Sequence, residues 1–296
     1  MKQRSARRVA VEFLAARVAL ATLAIGPRGL SEYLARFYVK LLDLVVPRLR
    51  RTAFRNLSMA MPEADQKAIV RGSFHSIARV LVAMARFHEI TKENVHDWIR
   101  YDGLEHFEDS LKRGKGVLFA TAHLGNWELS AFAHALMASP MHFVVRALDN
   151  PRIDSLVLRL RTLSGNQVIE KRDFARGILR ALYNNEAVGI LIDQNMSLDD
   201  GIFVDFFGIP ACVDKSFAKL AARSGAAIIP GFAFWSDQER KYILKFYPPL
   251  YASGDLQADT QSIHAQLEAA IREHPEQWLW MHRRWKTRPA GEAPLY

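Results

Sequence analysis

Residues 116–137 have the sequence GVLFATAHLGNWELSAFAHALM. The first part, GVLFATA, is a continuous apolar run with the length of a buried strand, whereas WELSAFAHALM carries its apolar residues at helical spacing. His123 and the small pair Gly125 and Asn126 lie between the two parts. The stretch therefore predicts a strand that passes through a tight turn into a helix, with a histidine just past the end of the strand.

The alternation of strands and helices continues towards the C-terminus. Asn150 and Pro151 stand at the start of a predicted helix, where a capping side chain and a proline are favoured, and Gly165 follows its end. Such alternation predicts an α/β fold with a mostly parallel, twisted sheet flanked by helices. The other predicted strands are 141–146, 167–170, 187–193, 226–235 and 241–247, and the other helices are 151–164, 173–185 and 214–225.

Length and composition indicate a globular chain with a large core. The chain has 296 residues, 50% of them hydrophobic, and a single cysteine, Cys212. This hydrophobic content excludes a disordered chain, and one cysteine excludes both an internal disulfide framework and a cysteine-based zinc site. We predict two parts, a basic helical segment formed by residues 1–56 and an α/β domain formed by residues 57–296.

The excess of positive charge lies in the N-terminal segment. The net charge is +9, and residues 1–56 hold twelve Lys and Arg against three acids, Glu12, Glu32 and Asp43. Basic and acidic residues balance in the rest of the chain. A basic segment on a neutral body indicates an acidic partner, either membrane headgroups or nucleic acid. Nucleic acid is disfavoured because aromatic residues are not interleaved with the basic ones as stacking platforms.

The N-terminal segment is predicted to form amphipathic helices. Residues 9–25 are mostly apolar, but Glu12 and Arg17 interrupt them. The uncharged run is shorter than the roughly 20 apolar residues that a spanning helix needs, so we predict a helix in the membrane interface.

A second amphipathic helix is predicted from Ser31, as N-cap, to a stop at Pro47. Two interpretations of its apolar face stay open: it lies in the membrane, or it packs on the body. The face comprises Leu30, Leu34, Phe37, Leu41 and Val45.

Polar side chains follow three predicted strands. His123, Asp193 and Arg146 each lie at or just past the carboxyl end of a strand. Ligands of open α/β sheets collect at this edge, so the three residues are candidates for one site.

His123 and Glu128 form a candidate catalytic pair. They are five positions apart, but the turn at Gly125 and Asn126 can bring His123 over the first helical turn, where Glu128 lies. We predict that Glu128 accepts a hydrogen bond from one imidazole nitrogen, so that the other acts as a base. The sequence contains no G-x-S-x-G motif, so the nucleophile is expected to be a hydroxyl of the substrate that attacks an activated acyl group. Motifs for dinucleotide loops, zinc proteases and calcium loops are also missing from the sequence.

The pair lies in HLGNWE, residues 123–128, which resembles the His-x4-Asp/Glu signature of glycerolipid acyltransferases. Its particular form is similar to that of the bacterial lipid A late acyltransferase family. Further similar stretches occur in order along the chain, so the resemblance covers nearly all of it. These stretches are VVRALDNPRID, LRTLSGNQVIEKRDFARGILRAL, AVGILIDQN, IFVDFFGIPA and PEQWLWMHRRWKTRP.

The resemblance implies an enzyme on the cytoplasmic face of the bacterial inner membrane, peripheral or monotopic. Such an enzyme transfers a fatty acyl chain from an acyl thioester, on acyl carrier protein or CoA, to a hydroxyl of a glycolipid, in this case a lipid A precursor. No metal or other cofactor is implied, because the thioester is already activated. The alternatives are acylation of another lysolipid or glycolipid, such as a phosphatidylinositol mannoside, and a non-catalytic membrane-bound scaffold.

The resemblance also implies roles for individual residues. His123 is the general base and Glu128 its partner. Arg161 holds the thioester carbonyl or a phosphate, and Asp193 either orients that arginine or caps the following loop. The predicted substrate-binding residues are Arg161, Asp193, Arg146 and Asn126.

Overall fold

The computed structural model describes residues 5–145, 147–169 and 174–296. Strands in these residues form a seven-stranded sheet and a separate two-stranded hairpin. The strands are β1 (Ile99–Asp102), β2 (Val117–Thr121), β3 (His142–Val144), β4 (Gln167–Ile169), β5 (Ala187–Leu191), β6 (Gly201–Phe206), β7 (Ile209–Asp214), β8 (Ala227–Ser236) and β9 (Lys241–Phe246).

The large sheet has the order β1-β9-β8-β2-β5-β3-β4. Strands β8, β2, β5, β3 and β4 are parallel to one another, whereas β9 pairs antiparallel with β8 and carries β1 parallel to itself. The predicted mostly parallel sheet is therefore confirmed, and its central strand is β2, which leads to His123. Strand β1 and the β6–β7 hairpin were not among the predicted elements.

The described residues form ten α-helices. The two predicted around the site are confirmed, because helix 127–137 has the predicted bounds and the next one begins at Pro151 behind its Asn150 cap. The helices are α1 (Ala6–Ala24), α2 (Arg28–Val45), α3 (Arg48–Ala60), α4 (Gln66–Ala85), α5 (Leu104–Leu111), α6 (Trp127–Met137), α7 (Pro151–Thr162), α8 (Phe174–Tyr183), α9 (Ser216–Ser224) and α10 (Leu256–Glu273).

The N-terminal segment forms α1, α2 and α3. The predicted N-cap at Ser31 is wrong: α2 begins at Arg28 behind Pro27, and Ser31 is buried within the helix. The proline, with its fixed φ, starts the helix four residues earlier than the serine would have done. The predicted stop is confirmed, since α2 ends at Val45, two residues before Pro47.

One face of helix α2 packs on the body, and the rest of the helix is exposed to solvent. Its buried residues are the small or short side chains Ser31, Ala35 and Val39, in a helix that lies against α4. Of its larger side chains, Leu34 and Tyr38 are partly buried against the core, whereas most of the others are exposed and are not covered by packing on the body. The exposed large apolar residues of α1 and α2 are Val11, Leu14, Val18, Leu30, Tyr33, Phe37, Leu41, Leu42, Leu44 and Val45.

Helix α4 is the central helix beneath this segment. Among the described residues it is the one helix long and apolar enough to cross a membrane by length and composition, yet 61% of its apolar window is buried inside the protein. Its neighbours include α1, α2, α3 and α6, so it behaves as a core helix that joins the N-terminal segment to the sheet.

Candidate active site

A tight turn joins β2 to α6 at the carboxyl edge of the sheet. Gly125 has a φ of 64°, and a Cβ atom at this position would lie 1.9 Å from the carbonyl oxygen of Ala233 on β8, so only glycine fits. The backbone N–H of Gly125 donates to the carbonyl of Gln277 at 2.9 Å, and that of Asn126 donates to the carbonyl of Ala233 at 2.9 Å. These contacts hold the residues on either side of the turn in fixed positions.

His123 is bound to Asp193 rather than to Glu128. Its Nδ1 lies 2.9 Å from Oδ1 of Asp193, and its backbone N–H donates to Oδ2 at 3.0 Å. Oδ2 also accepts a hydrogen bond from Nε1 of Trp278 at 2.9 Å. Three donors thus fix one buried carboxylate, which in turn fixes the orientation of the imidazole ring.

The charges of His123 and Asp193 stabilise each other. Burial by itself would raise the pKa of Asp193, but the charge of His123 and the hydrogen bonds from His123 and Trp278 hold it well below its ordinary value. Burial would lower the pKa of His123, but Asp193, with a further contribution from Glu128, raises it above its ordinary value. With Asp193 ionised, the shared proton lies on Nδ1, and the lone pair of Nε2 is available to a substrate.

The predicted hydrogen bond between Glu128 and His123 is therefore wrong. Oε2 of Glu128 accepts from Nε of Arg161 at 2.8 Å, Nη2 of Arg161 donates to the second oxygen, and Nε1 of Trp127 donates at 3.2 Å. Glu128 is 9% exposed and Arg161, on the last turn of α7, is 23% exposed. A bidentate arginine nearby is a stronger partner for this carboxylate than a histidine already held by another acid.

The remaining predicted site residues have different outcomes. Asp193 neither orients Arg161 nor caps a loop; it holds His123 instead. Asn126 is fully buried, and its Oδ1 accepts from the backbone of Leu129 at 3.0 Å as the cap of α6, which argues against a direct contact with substrate. Arg146 lies outside the described residues.

The C-terminal region supplies residues that sequence reasoning did not assign to the site. Trp278 binds Asp193, and Arg284 is fully buried with hydrogen bonds to the carbonyls of Gln194 at 3.4 Å and Cys212 at 3.1 Å. Burial lowers the pKa of Arg284 to about 10, against the opposing charge of Asp193. The tryptophan-rich stretch PEQWLWMHRRW was the sequence signal that this region packs against the site. Its residue types did not show which tryptophan donates a hydrogen bond to Asp193.

An apolar cavity opens beside Glu128 and Arg161, with about 750 Å³ of space when its open mouth is included. It lies between one face of the sheet and α6, whose residues Trp127, Ala131 and His134 line it at helical spacing. The lining on the sheet is largely apolar and includes Phe119, Phe143, Gly189, Leu191, Gly231, Leu244 and Phe246.

The arrangement brings a base, a positioned cation and an apolar cavity to one edge of the sheet. The base is His123, and the cation is Arg161. In the part of the chain that the structure describes, no group of three or more His, Cys, Asp or Glu could hold a metal ion.

Comparison with known proteins agrees with this arrangement. The family model described as bacterial lipid A biosynthesis acyltransferase matches residues 2–287. The chain belongs to this family. It is an enzyme that transfers acyl groups, and lipid A biosynthesis is the process of its family.

Several relatives of this acyltransferase carry the same assignment. It is 27% identical over 274 residues to the lipid A biosynthesis lauroyltransferase of Escherichia coli K12, covering 90% of this chain and 86% of that protein. It is 27% identical over 255 residues to the E. coli K12 palmitoleoyltransferase, covering 84% and 82%. It is 24% identical over 248 residues to a lipid A biosynthesis acyltransferase of Haemophilus influenzae, covering 82% and 77%.

Proposed function

We propose that this acyltransferase moves a fatty acyl chain from a thioester, carried by acyl carrier protein or CoA, to a hydroxyl of a lipid A precursor. The observation that carries the proposal is the hydrogen-bonded pair of His123 and Asp193, which lies at the same sheet edge as a cavity suited to an acyl chain. The names of its relatives support lipid A as the acceptor.

The proposed reaction begins at Nε2 of His123. This nitrogen takes the proton of the acceptor hydroxyl, and the oxygen attacks the thioester carbonyl. Asp193 stabilises the imidazolium that forms, as the acid does in a Ser-His-Asp triad. Collapse of the tetrahedral intermediate breaks the C–S bond, and the imidazolium returns its proton to the leaving thiolate. The products are an ester and a free thiol.

Arg161 is proposed to stabilise the oxyanion of the tetrahedral intermediate. Its guanidinium is held by Glu128 through Nε and Nη2, so one edge of the fork is fixed and the charge faces the cavity that both residues line. A preorganised cation at the developing oxyanion lowers the barrier without reorganisation. Glu128 is thus proposed to act by positioning Arg161, a change from the role that the sequence implied.

The acyl chain is proposed to lie in the cavity between the sheet and α6. The cavity walls are mostly hydrocarbon and aromatic, and burial of each CH₂ group contributes about 0.8 kcal/mol. His134, which contributes to the wall, is neutral because burial lowers its pKa to about 4. A neutral wall is compatible with an alkyl chain.

Membrane association is proposed to occur through α1 and α2. Large apolar side chains of both helices are exposed, including Leu14 and Phe37, and residues 1–56 hold the excess of positive charge. An apolar helix face with flanking arginines suits an interfacial position on an anionic leaflet. The cytoplasmic face of the inner membrane is therefore the proposed location.

The acceptor and donor are tested by reconstitution. Purified protein is incubated with either acyl carrier protein or CoA thioesters and with a lipid A precursor or a lysolipid, and the products are identified by mass spectrometry. We expect acylation of the lipid A precursor by the wild type and none by His123→Ala. Transfer only to another lysolipid or glycolipid would favour the alternative acceptor. Unchanged transfer by His123→Ala would overturn the mechanism.

A further inference from the structure

A second cavity, which we call the arginine cavity, lies between the start of α2, the middle of α4 and the β8–β9 turn. It contains about 860 Å³ of space open to solvent and shares no lining residue with the acyl cavity. Neither the acyl-transfer mechanism nor the family assignment uses it. The residues that matter here are Arg28, Arg79, Arg240, Trp98, Trp235 and Tyr242.

Two of the arginines lie over tryptophan rings. The guanidinium carbon of Arg28 is 3.7 Å from the ring centroid of Trp98, and that of Arg79 is 4.6 Å from the ring centroid of Trp235. Stacking on a ring fixes the orientation of the planar guanidinium and leaves its N–H groups pointing sideways, where they can donate to the oxygens of an anion. The two stacked arginines therefore place two oriented guanidinium groups in one cavity.

The acidic residues that line the arginine cavity do not form hydrogen bonds with these guanidinium groups. Glu32 binds Arg36 at 3.3 Å, and Asp97 acts on Arg28 only through its charge. Arg79 contacts Asp237 at 3.5 Å, but the side chain of Asp237 is 88% exposed. Within the described ranges, the guanidinium groups of Arg28 and Arg240 make no hydrogen bond or salt bridge, so two cations in one cavity are left for an anion from outside.

Backbone features strengthen this arrangement. Arg240 has a φ of 53°, a left-handed conformation that is uncommon for a non-glycine residue. The turn therefore holds Arg240, which lines the cavity, in one backbone conformation. Helix α2 also begins behind Pro27 without a side-chain cap, and Gly29 in its first turn lines the cavity. The free N–H groups of this helix start add partial positive charge to that of the arginines.

The N-terminal segment exposes apolar side chains on both sides of Arg28 in the chain. Ile25, Leu30 and Tyr33, next to Arg28 in the chain, are 70%, 49% and 69% exposed. A ligand that carries a phosphate and an acyl tail could contact both the arginines and these apolar side chains. We propose that the arginine cavity binds the phosphate of an anionic lipid headgroup, with Arg28 and Arg240 as the principal ligands.

Binding is tested on the full-length protein in a neutral detergent by isothermal titration calorimetry. The probes are dihexanoyl phosphatidic acid, dihexanoyl phosphatidylcholine and inorganic phosphate. The test variant is Arg28→Gln with Arg240→Gln, and the matched control is Arg48→Gln with Arg51→Gln, which removes the same charge from exposed positions of α3. The variant Arg240→Gly also removes the side chain while relieving the backbone conformation, so it tests the site without strain.

We expect the test variant to bind phosphatidic acid at least about tenfold more weakly, since it loses two charge-assisted hydrogen-bond donors to the phosphate. The control variant should lose only the part of its affinity for phosphatidic acid that comes from general electrostatic attraction. Phosphatidylcholine should bind weakly to the wild type and to every variant. Competition by inorganic phosphate would show that the phosphate alone is recognised, and its absence would show that the lipid tail is needed as well. Equal affinity of the test and control variants, or no binding of phosphatidic acid, would overturn the proposal.

Discussion

Nδ1 of His123 lies 2.9 Å from Oδ1 of Asp193, across 70 residues of sequence and two neighbouring parallel strands. The strands β2 and β5 end at the same edge of the sheet, and the two side chains meet just beyond them. This contact assigns Asp193 the role that the sequence suggested for Glu128. It also separates two functions, proton transfer at His123 and charge stabilisation at Arg161, which respond differently to substitution.

Asp193→Asn should lower kcat by roughly 10²–10⁴-fold, because the imidazolium loses its counter-charge and Nδ1 its acceptor. The pH dependence should change as well. Asp193 raises the pKa of His123, and the base must be neutral, so wild-type kcat/KM should rise with pH through that raised pKa. In the variant, burial dominates and lowers the pKa, so the rise should shift to lower pH. A pH–rate profile measures this, and an unshifted profile would contradict the assignment.

Glu128→Gln and Arg161→Gln should reduce kcat to a similar extent, by about 10²–10³-fold, because each removes the same positioned cation. The double variant should lose little more than either single variant, since residues that act as a unit are non-additive. Neither substitution should shift the pH profile as far as Asp193→Asn does. Additive losses in the double variant would show that Glu128 acts independently of Arg161, as the original dyad hypothesis requires.

The sheet and its site edge were predictable because they depend on local signals. Asn150 and Pro151 defined the start of α7, and the apolar run before His123 defined β2. The partner of His123 was not predictable, because Asp193 and Glu128 are both acids at the right edge and only the three-dimensional positions of Arg161 and Trp278 decide between them. Helix spacing showed that α2 is amphipathic, but not that its small residues, rather than its large ones, would face the body.

Turnover is expected to require no metal ion, because the thioester is already activated and the proposed cation at the oxyanion is Arg161. Dialysis of the purified protein against a strong chelator should leave the transfer rate unchanged. The control is the same protein with magnesium or zinc added back. A rate that falls on chelation and returns with either metal would contradict the proposal that the protein uses no cofactor.

Gly231→Ala should shift the preferred donor to shorter chains. A Cβ atom on Gly231 would lie 2.8 Å from Cδ1 of Phe246, and both residues line the acyl cavity. One of them must move into the space that we assign to the chain. Gly189→Ala is a second variant of the same kind, with its added Cβ 2.6 Å from Cε of Met141. Competition between donors of different length in one reaction measures the preference, and unchanged product ratios in both variants would place the chain elsewhere.

Arg86→Met should loosen the N-terminal segment from the body. The guanidinium of Arg86 is buried at the end of α4 and donates to the carbonyls of Leu23 at 3.3 Å and Ala24 at 3.2 Å, and also to that of Gly26. It therefore satisfies the orphan carbonyls at the end of α1, and Leu23 beside it is 1% exposed. Hydrogen bonds to a charged group make a net contribution of about 1.5–3 kcal/mol each to stability. Limited proteolysis checks this. Cleavage within residues 6–27 should be faster in Arg86→Met than in the control variant Arg71→Met, which replaces an exposed arginine.

The same contacts predict the behaviour of a protein that lacks residues 1–28. Deletion of this segment removes Leu23 from the core and takes three carbonyl acceptors from Arg86, which keeps Glu89 at 3.5 Å as its partner. The truncated protein should therefore have a lower midpoint of thermal unfolding than the intact chain. It should also bind anionic vesicles less, because six basic residues and the exposed face of α1 are lost. Differential scanning calorimetry and vesicle co-sedimentation measure the two effects separately. An unchanged unfolding midpoint with reduced vesicle binding would mean that α1 contributes only to membrane binding. Equal vesicle binding by the truncated and intact proteins would mean that α2 makes the membrane contact.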